Sequence, residues 1–328
     1  MVYTKIDERQ TKLIDMFRFS NIVSWSLCGI FAITFVAVAL CFGETEHQPI
    51  ANNNQGSGDV GDASASIDTI IDQPQNGSHD NFQKIDFQTV VDNWVKQTNG
   101  QKSVIIYDVD LGERVGEYNV DQVYNMASLY KLFVVYEGYK KIENGEWRED
   151  EILNNGETIS RCLDLAIRES DSSCGELLWG KIGRENLDRA TELYTNDGDV
   201  NLSALTSTAE GALDIMLQIT KYWQENDGQL IEIMKDSFLV QPVTTYDWRQ
   251  GLPSGFSEHA AVYNKVGWDY NADAGFWNVY HDVALVEFKD TNRRFIVVVM
   301  TSQLPFYNIS NFARMLEEYY LSSMDTQD

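Results

Sequence analysis

The chain has 328 residues and an apolar content that is ordinary for a globular protein, which favours one or two folded domains. Its formal net charge of −25 excludes a nucleic-acid binder that works by neutralising phosphates. Acidity of this size keeps a protein soluble and repels anionic surfaces, but it identifies no partner.

An uncharged apolar segment lies near the start of the chain, at residues 21–43. About 20 such residues suffice to cross the hydrocarbon core of a membrane. Basic residues precede the segment and acidic residues follow it: Lys5, Arg9, Lys12, Arg18, Glu44 and Glu46. Because positive flanks stay cytoplasmic, the pattern predicts a cytoplasmic segment at 1–20, a single-pass signal anchor at 21–43 in the cell membrane, and an extracytoplasmic remainder.

Two alternatives to the anchor are a cleaved signal peptide and a lipoprotein signal. The apolar run is longer than the usual core of a signal peptide, and no small-residue cleavage site ends it. A lipoprotein would use Cys41, but the bulky Leu40 before it argues against that use. The anchor is therefore the preferred interpretation.

Residues 44–84 are rich in Gly, Ser, Asn and Asp and poor in large apolar residues. This composition predicts a disordered tether. From residue 85 the composition becomes globular, so a single catalytic domain is expected at 85–328.

The globular region shows two kinds of periodicity. Apolar residues at helical spacing predict helices at 85–97, 127–143, 159–168, 173–182, 185–194, 208–224, 229–238 and 310–321. Runs rich in β-branched residues predict strands at 103–110, 114–119, 260–266, 276–288 and 295–302. Strands at both ends with helices between them predict an α/β (α+β) fold, in which one antiparallel sheet is built from both ends of the domain, flanked by helices and interrupted by a helical insertion.

The cysteines and histidines suggest no metal centre. Cys28 and Cys41 fall in the predicted anchor, where they act as small apolar residues. Cys162 and Cys174 lie in the outer domain, where a disulfide is permitted, but sequence alone does not bring them together. Unpaired core thiols are therefore slightly favoured. The four histidines are scattered without metal-ligand spacing: His47, His79, His259 and His281.

The first chemical motif is Ser128-Leu129-Tyr130-Lys131, at the start of a predicted helix. Residues three apart share a helical face, so Lys131 can reach the Ser128 hydroxyl. The helix N-terminus would favour an anion developing at Ser128, and burial of Lys131 would favour its neutral form, a candidate general base. Taken alone, the motif is more often a capping serine and a surface lysine, although apolar neighbours argue against free solvation.

Two further motifs follow along the chain. Ser170-Asp171-Ser172 joins two predicted helices, where Ser and Asp are also ordinary caps. In a catalytic interpretation Ser170 relays a proton. Lys265-Val266-Gly267 ends a predicted strand and offers a cation, and Gly267 allows close approach to the backbone. Together the three motifs supply a nucleophile, a base, a relay and a second cation, which suits attack on an amide through an acyl intermediate.

In order and spacing these motifs resemble those of the class A β-lactamase and penicillin-binding protein superfamily. Ser128 and Lys131 match its Ser-x-x-Lys motif, Ser170-Asp171 the start of Ser-Asp-Asn, and Lys265-x-Gly267 its Lys-Thr-Gly motif. The resemblance covers about 88–322 and includes a loop at 249–255. It implies a β-lactamase/transpeptidase-like fold. It also implies an oxyanion hole formed by the backbone N–H groups of Ser128 and Trp268.

The chain departs from the family pattern in three places. Ser172 and Val266 stand where the family uses Asn and Thr or Ser to contact substrate, so Ser172, Val266 and Gly267 are the expected substrate-binding positions. Class A enzymes also carry a deacylating Glu on a long loop between the second and third motifs. The stretch between Ser172 and Thr208 is short for such a loop, and the acids considered there, Glu192, Asp197 and Asp199, lack its sequence context.

The preferred interpretation is a membrane-anchored serine hydrolase that acts without a metal or organic cofactor. Ser128 is the expected nucleophile, Lys131 the base and Ser170 the relay, while Lys265 tunes both and attracts a carboxylate. The expected partner is a D-Ala-D-Ala peptide of peptidoglycan or a β-lactam that mimics it, with β-lactam adducts lost slowly. A true β-lactamase and a non-catalytic binding module of the same fold remain as alternatives.

Overall fold

The structure is a computed structural model that describes residues 84–240 and 250–325. The cytoplasmic segment, the anchor and nearly all of the tether lie outside the described residues and stay predictions. Within the two described ranges, no helix is both long and apolar enough to cross a membrane.

Strands lie mainly toward the two ends of the described part of the chain, and helices predominate between them. The first half contains α1 Gln88–Gln97, β1 Gln101–Asp108, β2 Glu113–Tyr118, β3 Tyr124–Asn125, a 3₁₀ turn Ala127–Leu129, α2 Tyr130–Glu143, α3 Ile159–Arg168, α4 Ser172–Ile182 and α5 Arg184–Thr191. The second half contains β4 Val200–Asn201, β5 Thr206–Ser207, α6 Ala209–Glu225, α7 Gln229–Phe238, β6 Leu239–Val240, β7 Ala260–Asn271, β8 Phe276–Phe288, β9 Arg293–Ser302 and α8 Phe306–Asp325.

One antiparallel sheet organises the domain, with strand order β2-β1-β9-β8-β7-β6. The N-terminal hairpin β1–β2 pairs with β9 from the C-terminal end, so the predicted sheet built from both ends is confirmed. A small second sheet, β3-β5-β4, holds the chain just before the 3₁₀ turn.

The sheet separates two apolar cores because its strands alternate their side chains between two faces. Ile105 packs into the core shared with α2–α7, which we call the insertion-side core. Its neighbours Val104 and Ile106 pack into the core shared with α1 and α8, which we call the terminal-helix core. The chemical motifs lie where the insertion meets the sheet.

Most predicted elements agree with the structure, and the differences have local causes. Helices α3 and α7 have the predicted bounds. Helix α1 begins at Gln88 instead of 85, because Phe87 is held to the sheet by a bond from its N–H to the Val115 carbonyl. The short strands β3–β6 were not predicted, since two-residue strands leave no periodicity.

Candidate active site

Ser128 lies in the 3₁₀ turn that leads directly into α2, where sequence predicts one continuous helix from 127. Ala127, just before it, has a φ of 46°, in the left-handed region that costs a non-glycine residue about 1–2 kcal/mol. Backbone contacts hold this conformation: the Met126 N–H donates to the Leu205 carbonyl, and the Ala127 N–H donates to Asn125 Oδ1. Surrounding structure therefore imposes the turn that presents the Ser128 side chain.

His281 on β8 supports the same turn from beneath. The ring is fully buried, and burial lowers its pKa to about 4, so the ring is neutral. The Thr301 N–H donates to Nδ1 at 3.0 Å, which leaves the proton on Nε2 to be donated to the Asn125 carbonyl at 2.7 Å. Sequence reasoning assessed histidines only for metal spacing and so missed this positioning role.

Lys131 is fully buried on α2, one turn along from Ser128. Its Nζ lies 3.2 Å from Ser128 Oγ. Three more oxygens surround it: the Ser170 carbonyl at 2.5 Å, Ser170 Oγ at 3.3 Å and Ser172 Oγ at 3.3 Å. The predicted contact between Ser128 and Lys131 is therefore present.

Burial lowers the pKa of Lys131 to about 8, while Asp171 and Glu176 act in the opposite direction. The burial effect is larger because the ammonium loses its hydration inside the protein. A lysine with this pKa is partly neutral near physiological pH. The neutral amine has a lone pair that can accept the Ser128 hydroxyl proton.

The loop between α3 and α4 brings Ser170 between the two lysines. Ser170 has a φ of 51°, and its Oγ accepts from Lys265 Nζ at 2.8 Å as well as facing Lys131. Lys265 is fully buried on β7 and also donates to the Val266 carbonyl at 2.6 Å. The four predicted catalytic residues thus form one hydrogen-bonded chain from Ser128 through Lys131 and Ser170 to Lys265.

Asp171 and a disulfide support the Ser170 loop. The Asp171 side chain caps α4 by accepting from the Cys174 N–H at 2.7 Å. Cys162 on α3 and Cys174 on α4 form a disulfide, with Cα atoms 4.8 Å apart. The expectation of unpaired thiols is wrong, because the two helices pack side by side, an arrangement that residue spacing alone does not reveal.

Gly267 lies where β7 passes the 3₁₀ turn that carries Ser128. A Cβ at this position would approach to 2.6 Å from the Met126 carbonyl oxygen and 2.9 Å from Leu129 Cγ. The missing side chain therefore allows β7 to pack against the turn. Close approach of a substrate to Gly267, the reason suggested by the sequence, stays a prediction.

The other predicted binding residues contribute differently. Ser172 is exposed at the start of α4 with its Oγ facing Lys131. The Val266 side chain is fully buried in the terminal-helix core, so only its backbone faces the site. The half-buried Trp268 side chain packs against the same core, with its ring 5.5 Å from that of Trp277. A contribution of Trp268 to an oxyanion hole would come from its backbone alone.

The stretch between the second and third motifs contains α4, α5 and the strands β4 and β5. Glu192 is exposed at the end of α5, and Asp199 accepts a hydrogen bond from the Thr208 hydroxyl that caps α6. The acid that sequence reasoning overlooked is Glu176, one helical turn after Ser172 and close enough to Lys131 to influence its pKa. The spacing of four residues between Ser172 and Glu176 was the available signal.

Comparisons with known proteins agree with this geometry. A family model described as the β-lactamase enzyme family matches residues 86–316. No curated protein sequence matches the chain significantly.

Among the residues that the structure describes, no group of three or more His, Cys, Asp or Glu side chains is arranged to hold a metal ion.

Several solved structures share the fold. The TLA-1 extended-spectrum β-lactamase has a TM-score of 0.60 at 13% identity, covering 72% of this chain and 98% of that one. A class A β-lactamase from Bacteroides cellulosilyticus has a TM-score of 0.60 at 15% identity, covering 73% and 99%. An ancestral class A β-lactamase has a TM-score of 0.57 at 16% identity, covering 71% and 99%.

Proposed function

Because the chain belongs to the β-lactamase enzyme family, we propose that it is a serine hydrolase that acts through an acyl-enzyme at Ser128 on D-Ala-D-Ala peptides of peptidoglycan or on β-lactams. The observation that carries this proposal is the 3.2 Å separation between Ser128 Oγ and the Nζ of a fully buried Lys131. Burial gives that amine a neutral fraction, which an exposed lysine lacks at neutral pH.

In the acylation step, neutral Lys131 accepts the hydroxyl proton while Ser128 Oγ attacks the carbonyl carbon. A bond forms between Oγ and that carbon, and the bond from carbon to nitrogen then breaks. The leaving nitrogen takes up the proton through Ser170, whose Oγ is 3.3 Å from Lys131 Nζ. Backbone N–H groups of Ser128 and Trp268 would stabilise the negative oxygen of the tetrahedral intermediate.

Lys265 supports both binding and proton transfer in this scheme. Its Nζ is buried and lies 2.8 Å from Ser170 Oγ, on the strand that flanks the Ser128 turn. A D-Ala-D-Ala terminus and a β-lactam both carry a carboxylate close to the amide that is attacked. Attraction of that carboxylate by Lys265 would orient the amide toward Ser128.

We expect β-lactam adducts to be lost slowly. Helices α4 and α5 and two short strands fill the stretch where class A enzymes carry a long loop with a deacylating Glu. The opened β-lactam ring also stays tethered and hinders water, whereas a peptide leaving group departs. Efficient β-lactam hydrolysis is the second candidate, favoured by the likeness of the fold to class A β-lactamases. Sustained cephalosporin turnover above about 10 per second, a typical enzyme value, would support it.

We also propose that residues 21–43 anchor the hydrolase in the cell membrane, with its catalytic domain outside the cytoplasm. The apolar run and the basic residues before it support this orientation. Protease added to intact cells should release a fragment that begins within 44–84. Protection of this segment until the membrane is broken would contradict the orientation.

Intact-mass measurement with benzylpenicillin tests the central proposal. The wild-type protein should gain one penicillin mass at Ser128, and Ser128→Ala should gain none while staying folded. Lys131→Ala should slow acylation by about 10⁴-fold, in the range observed when one member of a catalytic unit is removed. Ser203→Ala, at an exposed serine, is the matched control and should be labelled normally. An adduct that persists in Ser128→Ala, or maps to Ser170, would contradict the assignment.

A further inference from the structure

The acyl-enzyme needs a second base to activate water, and the faces of α4 suggest where that base lies. Ser172 and Glu176 are four residues apart on α4, so they share one face of the helix. Ser172 Oγ lies 3.3 Å from Lys131 Nζ, which shows that this face is turned toward the catalytic lysine. Glu176 therefore projects beside the site, one turn farther along.

Gly175 allows α4 to approach the site closely. A Cβ on Gly175 would lie 2.9 Å from Lys131 Cε and 2.9 Å from the Tyr130 hydroxyl oxygen. No larger residue fits here without moving α4 away from Lys131. The absence of this side chain brings the backbone that carries Glu176 against the catalytic lysine.

The Glu176 carboxylate is close to both Tyr130 and Lys131. Burial raises the pKa of Tyr130, and the neighbouring charge of Glu176 and a hydrogen bond to it add to that effect. The Tyr130 ring lies 5.5 Å from Lys131 Nζ, so the three side chains form one contiguous group. The Tyr130 hydroxyl can donate a hydrogen bond to the Glu176 carboxylate and so orient that carboxylate.

Two carboxylates influence Lys131, and they differ in their availability. The Asp171 carboxylate already accepts a hydrogen bond from the Cys174 N–H, which caps α4. The Glu176 side chain is 52% exposed and has a loose ion pair with Arg184, at 3.4 Å. Glu176 can therefore hold a water molecule that approaches Ser128 from the α4 side.

We propose that Glu176 is the general base that activates water for hydrolysis of acyl-Ser128. The water oxygen bonds to the ester carbon while Glu176 takes one water proton. The proton that Glu176 took passes through solvent to neutral Lys131. The bond from that carbon to Ser128 Oγ then breaks as Oγ takes up this proton from Lys131, so each group regains its starting state. Because the Glu176 side chain is 52% exposed and also contacts Arg184, it is free to turn away from acyl-Ser128, consistent with slow loss of β-lactam adducts.

This inference rests on the proposed acyl-enzyme, and its test separates the two steps. Glu176→Gln keeps the size of the side chain and the acceptor for Tyr130 but cannot take a proton. Benzylpenicillin is mixed with the full chain, the rate of adduct formation is measured by intact mass, and adduct loss is followed after excess penicillin is removed. We expect adduct loss to slow by about 10²-fold or more, the usual contribution of a general base, with the acylation rate unchanged within about threefold.

Glu192→Gln is the matched control, because it removes an exposed acid from the end of α5 without touching α4. It should change neither rate. An unchanged adduct lifetime in Glu176→Gln would overturn the inference and leave the proposed function standing. Equal slowing of both rates would also overturn it, since Glu176 would then only support Lys131. Absence of any adduct in the wild type would overturn the proposed function together with this inference.

Discussion

The turn that carries Ser128 and the loop that carries Ser170 contain the same local strain but are supported differently. Ala127 and Ser170 both have positive φ values, 46° and 51°, which non-glycine residues seldom adopt. In the Ser128 turn, contacts from distant segments impose the conformation: the Leu205 carbonyl, His281 and the close passage of β7 at Gly267. In the Ser170 loop, the Asp171 cap and the disulfide act locally, in addition to the hydrogen bonds that Ser170 accepts from Lys131 and Lys265.

This difference predicts which property, activity or stability, is lost when a supporting contact of each region is removed. The Ser128 turn depends on tertiary contacts, so a small shift of β7 or β8 should move Ser128 itself. The Ser170 loop has two independent local supports, so the loss of one should cost stability more than activity. Substitutions at the residues that support each segment can test this contrast.

Gly267→Ala should have the largest effect among these substitutions. The added methyl group would meet the Met126 carbonyl at 2.6 Å and must push β7 away from the turn. A displacement of about 1 Å can cost about 10²-fold in rate, and we expect penicillin acylation to slow by about that factor. Gly180→Ala is the control, because its Cβ would meet no atom within 4 Å. Equal acylation rates in the two variants would contradict the predicted role of the Gly267 contact.

His281→Ala should lower both stability and activity. The change leaves the Asn125 carbonyl and the Thr301 N–H without their buried partner, which costs about 1–3 kcal/mol in the free energy of unfolding for each unsatisfied group. Chemical denaturation measures that loss, and acylation at a temperature where the variant is folded measures displacement of the turn. His259→Ala, which removes an exposed side-chain hydrogen bond with Asp290, should change neither quantity appreciably. If folded His281→Ala is acylated at the wild-type rate, the Ser128 turn keeps its conformation without His281, and the prediction is contradicted.

Removal of the disulfide should have the smallest effect on activity. The bridge closes a segment with a sequence separation of 12, so Cys162→Ala combined with Cys174→Ala should lower the free energy of unfolding by about 3 kcal/mol. Acylation by the folded variant should stay within about threefold of the wild type, because the Asp171 cap remains. A reductant should destabilise the wild type but not the double variant. A much lower acylation rate in the folded double variant would contradict this prediction, because the Asp171 cap would then not suffice to position Ser170.

Sequence predicted much of the fold because its elements have strong local periodicity. The bounds of α3, α7 and β8 agree with the prediction, and the three motifs converge as the resemblance implied. The predicted end of β7 at Val266 was too early, because Asp269 and Asn271 interrupt the apolar pattern while the strand continues to pair with β8. Pairing between strands is a tertiary effect that the pattern of one strand does not contain.

The features missed at the site all depend on how elements face one another. The disulfide requires α3 and α4 to lie side by side, and the role of His281 requires β8 to pass beneath the Ser128 turn. Glu176 becomes a candidate only when the face of α4 that meets Lys131 is known. By contrast, the contact between Ser128 and Lys131 lies within one segment of chain, which is why spacing alone predicted it.

The pH dependence of acylation tests the central claim, that neutral Lys131 activates Ser128. Burial lowers the pKa of Lys131 to about 8, against the opposing effects of Asp171 and Glu176, and Lys265 is linked to it through Ser170. Below this pKa the neutral fraction falls about tenfold for each pH unit, and above it the fraction saturates.

The measurement is the rate constant for benzylpenicillin acylation between about pH 5.5 and 9.5, by stopped-flow or quenched intact mass, with unfolding followed in parallel. If neutral Lys131 is the base, the rate constant should rise about tenfold per pH unit and level off near pH 8, with no such break in Lys131→Ala. A rate constant that is flat across this range, or that increases toward acid, would contradict a neutral Lys131 as the base.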